Sequence, residues 1–402
     1  MRPIHRLTST LSLIASITVS LIIIEVSAFI YFSRIKGFAS LNSVRRYEYD
    51  PYRGYRLRPH YKRNGTEHSA QGFRRSKDVS VKKENGLYRI ILMGGSTAYG
   101  MSASGVFGTY TVSNNETIDY YLERFLNEQS GKHSFEVINA AVPGYWTHHH
   151  LIYLNQELLA YQPDMVIFLD GHNDHYTLDG TRKRLQTSYE ADHIQEMNHP
   201  TALGVLKHIF SYLGTKSWFG FAVVLSLERI KSWSLVKVQA YKLAGNIDDY
   251  ESIAQDTVLK MIKRNVVLLK NEKITPVVLL QPELALFQDK KFTAAEEDLL
   301  KIELRYRQKG YLERLNDLNK RASQLIRRLA QEYQFMFLDL RNVFKDLKEE
   351  AYIDYVHLSP PGARHLAEYL GRHIIPLIES DMARYDFSYR KTCSSCHDYV
   401  SK

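Results

Sequence analysis

The sequence predicts an α/β fold built on a parallel sheet of five strands with helices on both faces. Five short apolar runs have strand length, charged segments of helical periodicity separate them, and glycine or proline breaks follow the first two runs. Alternation of strand and helix makes the strands parallel, because each crossover returns the chain to the same end of the sheet. In such sheets functional groups gather at the carboxyl ends of the strands.

The chain of 402 residues opens on an apolar segment. Residues from Leu11 to Phe32 are almost all apolar or small, and at about 1.5 Å per residue such a helix covers the roughly 30 Å hydrocarbon layer of a bilayer. It is expected to be a single-pass anchor over residues 1–33. Val26-Ser27-Ala28 also has the small-residue pattern of a signal peptidase site, so secretion after cleavage is the alternative. Glu25 sits awkwardly in a spanning helix, where a carboxylate costs about 2 to 3 kcal/mol. Arg2 and Arg6 precede the segment, and Arg34, Lys36, Arg45 and Arg46 follow it. Counting basic residues argues against export, but long domains translocate largely regardless of charge, and an extracytoplasmic domain is expected.

Residues 34–86 read as a basic connector. Between Arg34 and Lys83 there are 14 Lys and Arg against four acids, a local charge of +10 beside +9 for the whole chain. Such charge suits anionic headgroups or an acidic glycan, or it belongs to a solvated linker. No motif for nucleic acid accompanies it, and no nucleic-acid partner is expected.

The remaining elements follow in order. LYRIIL, Leu87 to Leu92, is a buried strand that meets Gly94-Gly95, and a helix over Thr117 to Asn127 follows. FEVINAAV, Phe135 to Val142, is a second strand ending at Pro143-Gly144. A helix over Leu151 to Ala160 leads into a third strand, MVIFLD, Met165 to Asp170. Residues 178–249 break the rhythm as a helical insertion containing the apolar run Trp218 to Leu227, which is too short to span and is read as core, lid or interfacial face. Pro276 to Gln281 and Phe335 to Leu340 complete the sheet of a domain placed at 87–378, with a tail at 379–402.

Four segments at or beyond the strand ends carry the residues of an acyl-transfer site. In MGGSTAYG, Met93 to Gly100, two glycines allow the sharp turn that exposes the Ser96 hydroxyl. In NAAVPGYW, Gly144 brings a bare backbone N–H near a ligand oxygen, and in DGHND, Asp170 to Asp174, Asn173 offers an amide donor. Ser96 N–H, Gly144 N–H and the Asn173 amide would together form an oxyanion hole. In the segment from Asp354 to Leu370, Asp354 and His357 stand three apart before a predicted helix, a spacing that supplies both a base and the acid that fixes its tautomer. Taken singly, each feature is more often a turn residue. Their conjunction in one order, each at a predicted strand end, is what points to catalysis.

Here the sequence resembles the SGNH hydrolases, also called GDSL-type esterases, over roughly Tyr88 to Leu370. Ser96 in GGST matches the first-block serine, Gly144 the second-block glycine, Asn173 in GHND the third-block asparagine, and Asp354 with His357 the last-block DxxH. The resemblance implies a three-layer α/β/α sandwich, flavodoxin-like in outline, and hydrolysis of esters or removal and transfer of acetyl groups on glycans. Two positions depart from the pattern. Gly95 replaces the aspartate of the GDS signature, which removes a polar support, and Ala141 stands where related sequences often have glycine.

The expected activity is therefore a serine esterase with catalytic Ser96, Asp354 and His357, acting on a short-chain or O-acetyl ester. An O-acyltransferase acting on envelope or exported polysaccharide, and a non-catalytic polysaccharide-assembly component, remain open, as does the oligomeric state. At the C-terminus Cys393, Cys396 and His397 have the CxxCH spacing of c-type haem attachment, but only five residues follow and the tail is polar. No cofactor and no metal are expected. A local disulfide or inert dithiol is the plainer reading of the two cysteines.

Overall fold

The computed structural model of the chain describes residues 2–35, 46–103, 110–129, 133–174, 216–223, 226, 254–286, 289–305, 307 and 309–384. The chain divides into two compact units, one of Met1–Arg46, Tyr61–Arg63 and Thr187–Gln239, the other of Tyr47–His60, Asn64–Gln186 and Ala240–Lys402.

In the first unit the leading apolar run forms helix α1 (Arg2–Phe29), which continues in wider turns from Ile30 to Ile35. From Ser12 to Ile35 it is 24 residues long with mean hydropathy 2.4, enough in length and composition to cross a membrane. Residues 218–223 of the expected insertion are also helical. The rest of that insertion, apart from 216, 217 and 226, lies outside the described residues.

In the second unit the five predicted strands form one parallel sheet. A hairpin of β1 (Tyr47–Asp50) and β2 (Gly54–Leu57) precedes it. The sheet strands are β3 (Leu87–Gly94), β4 (Ser134–Asn139), β5 (Met165–Asp170), β6 (Thr275–Leu280) and β7 (Met336–Asp339), in the order β4-β3-β5-β6-β7. Strand β3, second in that order, has a strand on each side and is buried from Tyr88 to Met93. That explains its unbroken apolar run, since a strand covered on both faces needs no alternation. The chain leaves β3 for β4 on one side and returns to β5 on the other, opening a crevice at the carboxyl end of β3.

Helices cover both faces. The Tyr88 hydroxyl donates to Asp381 Oδ2 in α8 (Pro360–Arg384), while its neighbour Arg89 points the other way to Glu136. Successive strand residues face opposite sides, so α8, with α3 (Ile118–Gln129) packed on it, forms one layer. Helices α4 (Thr147–Gln156), α5 (Lys260–Asn271) and α7 (Tyr311–Tyr333) pack together as the other. Helix α7 buries Leu315, Leu318, Ala322, Leu325 and Ile326, a single apolar stripe at three and four residue steps. Helices α2 (Ser96–Tyr99) and α6 (Ala294–Leu304) complete the set named here.

The basic stretch differs from expectation. From Tyr47 to His60 and from Asn64 onward it is part of the second unit, and its cations work inside the protein. Asp50 closes the hairpin turn by accepting the Arg53 N–H at 2.8 Å, and the buried Arg53 guanidinium reaches Asp50 and Glu157. Arg74 is fully buried and donates to the carbonyls of Tyr99, Gly100 and Val112. Lys83 Nζ lies 2.7 Å from Asp164. Cations bound this way are not a free patch for headgroups or glycan. Other boundaries shift less: α4 begins at Thr147 and ends at Gln156 rather than covering 151–160, and α8 runs to Arg384, into the stretch read as tail. Cys393, Cys396 and His397 lie outside the described residues.

Candidate active site

The serine turn is built by two glycines that admit no side chain. Gly94 has φ +153, and a Cβ there would lie 2.4 Å from Leu169 O. At Gly95 a Cβ would lie 2.4 Å from Asn173 Nδ2 and 3.1 Å from Tyr145 O. Ser96 then opens the four-residue α2, which Gly100 ends in left-handed conformation at φ +74. The turn is held from outside by Arg74 and by Asn139, whose amide donates to Ala98 O at 3.0 Å.

Asp354 and His357 lie in a loop pinched by the antiparallel bridge between Tyr352 and Leu358. Asp354 Oδ1 accepts the N–H groups of Val356 and His357 at 2.8 and 2.7 Å, and Oδ2 lies 2.6 Å from His357 Nδ1. Burial raises the Asp354 carboxyl, but the His357 bond and charge and the two backbone donors outweigh it and hold it below its ordinary value. A carboxylate that accepts from Nδ1 fixes the tautomer with the lone pair on Nε2. His357 Nε2 is buried and makes no hydrogen bond among the described residues. Ser359 caps the following helix by accepting the Gly362 N–H at 3.1 Å, and Pro360 takes its first position.

The structure brings the expected residues to the end of β3 in two linked groups. Asn173 Nδ2 donates to Tyr145 O at 2.7 Å, so the third-block amide lies against the second-block loop and directly beside Gly95, one residue from Ser96. Gly144 has φ +88, and a Cβ there would lie 2.4 Å from the Tyr55 hydroxyl, which itself donates to Pro143 O at 2.8 Å. The Asp354–His357 loop meets the serine turn through Thr97, whose hydroxyl lies 3.4 Å from Val356 O and accepts from Gln281 Nε2 at 3.2 Å.

Several neighbours went unread in the sequence. Asp174 accepts from the Thr147 N–H and hydroxyl, and burial together with the charge of Asp170 pushes its carboxyl up. His150 Nε2 lies 2.8 Å from Asp170, and His172 Nδ1 2.9 Å from Glu283. The three consecutive histidines 148 to 150 were the available signal. Burial, with repulsion from His150 and His148, lowers the middle one, His149, to about 3, leaving it neutral. Among the described residues no group of three or more His, Cys, Asp or Glu is placed to share a metal ion.

A half-buried serine on the turn after β3, linked through Thr97 to the loop that carries an Asp–His pair at the carboxyl edge of a parallel α/β/α sandwich, defines a serine hydrolase of the SGNH type. Residues 92–365 match the GDSL-like lipase/acylhydrolase family, and the chain belongs to it as an enzyme acting on ester bonds. Among solved structures it is similar to an acetylxylan esterase from Geobacillus stearothermophilus, at 12% identity over 76% of this chain and 97% of that one, with a TM-score of 0.37. A lipase/acylhydrolase from Enterococcus faecalis is similar at 16% identity over 71% and 95%, also at 0.37. No curated protein matches the chain.

Proposed function

We propose that the protein is a membrane-anchored serine esterase in which Ser96 is the nucleophile, His357 the general base and Asp354 the group that orients it. Ser96 Oγ attacks the ester carbonyl carbon while its proton passes to His357 Nε2. The negative charge that develops on the carbonyl oxygen is met by the Ser96 and Gly144 N–H groups and the Asn173 amide. Collapse breaks the bond to the alcohol, which leaves with the proton from His357. Water, deprotonated by the same nitrogen, then attacks the acyl-serine, releasing the acid and restoring Ser96.

The observation that carries this reading is the state of His357, tied through Nδ1 to Asp354 while its buried Nε2 makes no hydrogen bond among the described residues. A lone pair held in that way is what a serine hydroxyl requires. The substrate is a short-chain or O-acetyl ester, in keeping with the family resemblance, and the catalytic unit lies outside the cytoplasm with α1 retained as its anchor. The test is turnover by the purified chain on short-chain aryl esters and acetylated glycan oligomers, with Ser96→Ala as control. Turnover confined to short acyl groups and lost in the variant is expected. Equal turnover by Ser96→Ala would sink the assignment.

A further inference from the structure

Glu25 is the only acidic residue between Ser12 and Ile35. It meets three donors: Ser217 Oγ at 2.7 Å, the Trp218 N–H at 2.7 Å and the Phe219 N–H at 3.0 Å. Those N–H groups open the helical piece 218–223 and have no partner within its first turn. Away from water both halves of this contact are costly alone, the carboxylate for want of donors and the helix start for want of acceptors. Each satisfies the other. Ser217 completes the start by accepting the Gly220 N–H at 3.0 Å.

Aromatic packing surrounds the contact. Trp218 stacks on Phe32 at 6.0 Å and meets Phe29 edge-on at 6.0 Å, while Phe221 stands edge-on to Phe32 at 5.0 Å. The outward faces of α1 and of residues 218–223 are apolar, with Leu21 55%, Phe29 43% and Phe219 38% exposed, while the cation of Lys216 is exposed just ahead of the piece.

The geometry points to residues 218–223 as a second membrane-embedded element, seated on α1 by Glu25, whose partner is the acyl region of the bilayer. The inference rests on α1 being a span. Phe29 and Phe32 are six and three residues from Ile35, no more than about 9 and 4.5 Å along the axis, so the Trp218 ring packed on both lies shallower than Leu21 although its N–H meets Glu25 farther in. Leu21 sits near the middle of the same span. The carboxylate in the apolar helix is then a seat for the insertion rather than a defect in the anchor.

The test uses the full chain in phosphatidylcholine–phosphatidylglycerol vesicles whose acyl chains carry bromine at shallow or deep carbons. The chain has three tryptophans, Trp146, Trp218 and Trp233. Trp146→Phe with Trp233→Phe leaves Trp218 as sole reporter, and replacing all three by Phe with Leu21→Trp added reports on α1. Shallow bromines are expected to quench Trp218 most, and deep bromines the α1 reporter. Quenching of the α1 reporter without Trp218 overturns this inference and leaves the anchor standing, whereas quenching of neither overturns both. Glu25→Ala is expected to abolish quenching of Trp218 while the α1 reporter keeps its own, and undiminished Trp218 quenching in that variant overturns the role of Glu25.

Discussion

At Gly95 the absence of one carbon atom gives Asn173 its place beside Ser96. A Cβ there would stand 2.4 Å from Asn173 Nδ2, an atom already held by Tyr145 O, so Gly95→Ala displaces the amide rather than merely crowding it. Gly95→Ala and Asn173→Ala are therefore expected to lower kcat by a similar factor, about 10² to 10³, with thermal stability little changed. Steady-state kinetics on one ester checks this, and a Gly95→Ala enzyme of full kcat contradicts it. Ser96→Ala and His357→Ala should each remove most turnover, and combining them should add little, because residues that act as a unit are not additive. The residues of this site were legible as motifs, Ser96 after two glycines and Asp354 three before His357. The reason for Gly95 was not. It reads in sequence as the loss of a polar support, whereas its cause is a side chain 78 positions away, which no local spacing reveals.

The elements divide in the same way between what periodicity discloses and what only packing does. All five sheet strands were readable as apolar runs of strand length, most clearly Leu87 to Leu92, where burial on both faces leaves a continuous signal. The stretch after Tyr47 was misread, since a buried arginine and a solvated one look alike in sequence. Arg74 gives its guanidinium to three carbonyls around the serine turn, so Arg74→Met strands acceptors that cost about 1 to 3 kcal/mol each. Denaturant unfolding should show a loss of that order, with ester turnover reduced as well. A stable, fully active Arg74→Met protein would return the stretch to the role of connector. Asp119 of α3 makes a separate prediction. Burial, against hydrogen bonds from Asn139 and Thr117, pushes its carboxyl up to about 6 from an ordinary 3.8. A folded value above the unfolded one stabilises fully below pH 3.8, and that contribution is lost as pH rises through about 6. Asp119→Asn cannot lose it, so its stability relative to the native chain should rise between about pH 4 and pH 7, by on the order of 2 to 3 kcal/mol. A gap independent of pH contradicts the assignment.

At the scale of the whole molecule, a sequence-legible apolar helix and a sequence-legible hydrolase sheet share one chain. The insertion between Leu178 and Asp249 gave no periodic signal that assigned its place. Its one described helical piece, residues 218–223, is fixed by a contact with Glu25 that lies 192 positions from its Ser217 partner. If the catalytic unit is extracytoplasmic, a C-terminal reporter active only in the cytoplasm should stay dark, and a bright one reverses the topology. Deleting the chain from Thr392 onward should leave ester turnover intact, since the site residues all precede it, and severe loss with the fold preserved would draw Cys393, Cys396 and His397 into the working site. The central claim, that Ser96 is the nucleophile of an ester hydrolase, is tested most directly by a fluorophosphonate probe followed by peptide mapping of the adduct. The account predicts a single adduct on Ser96, absent from Ser96→Ala and much slowed in His357→Ala. An adduct on another residue, or undiminished labelling of Ser96→Ala, would contradict it.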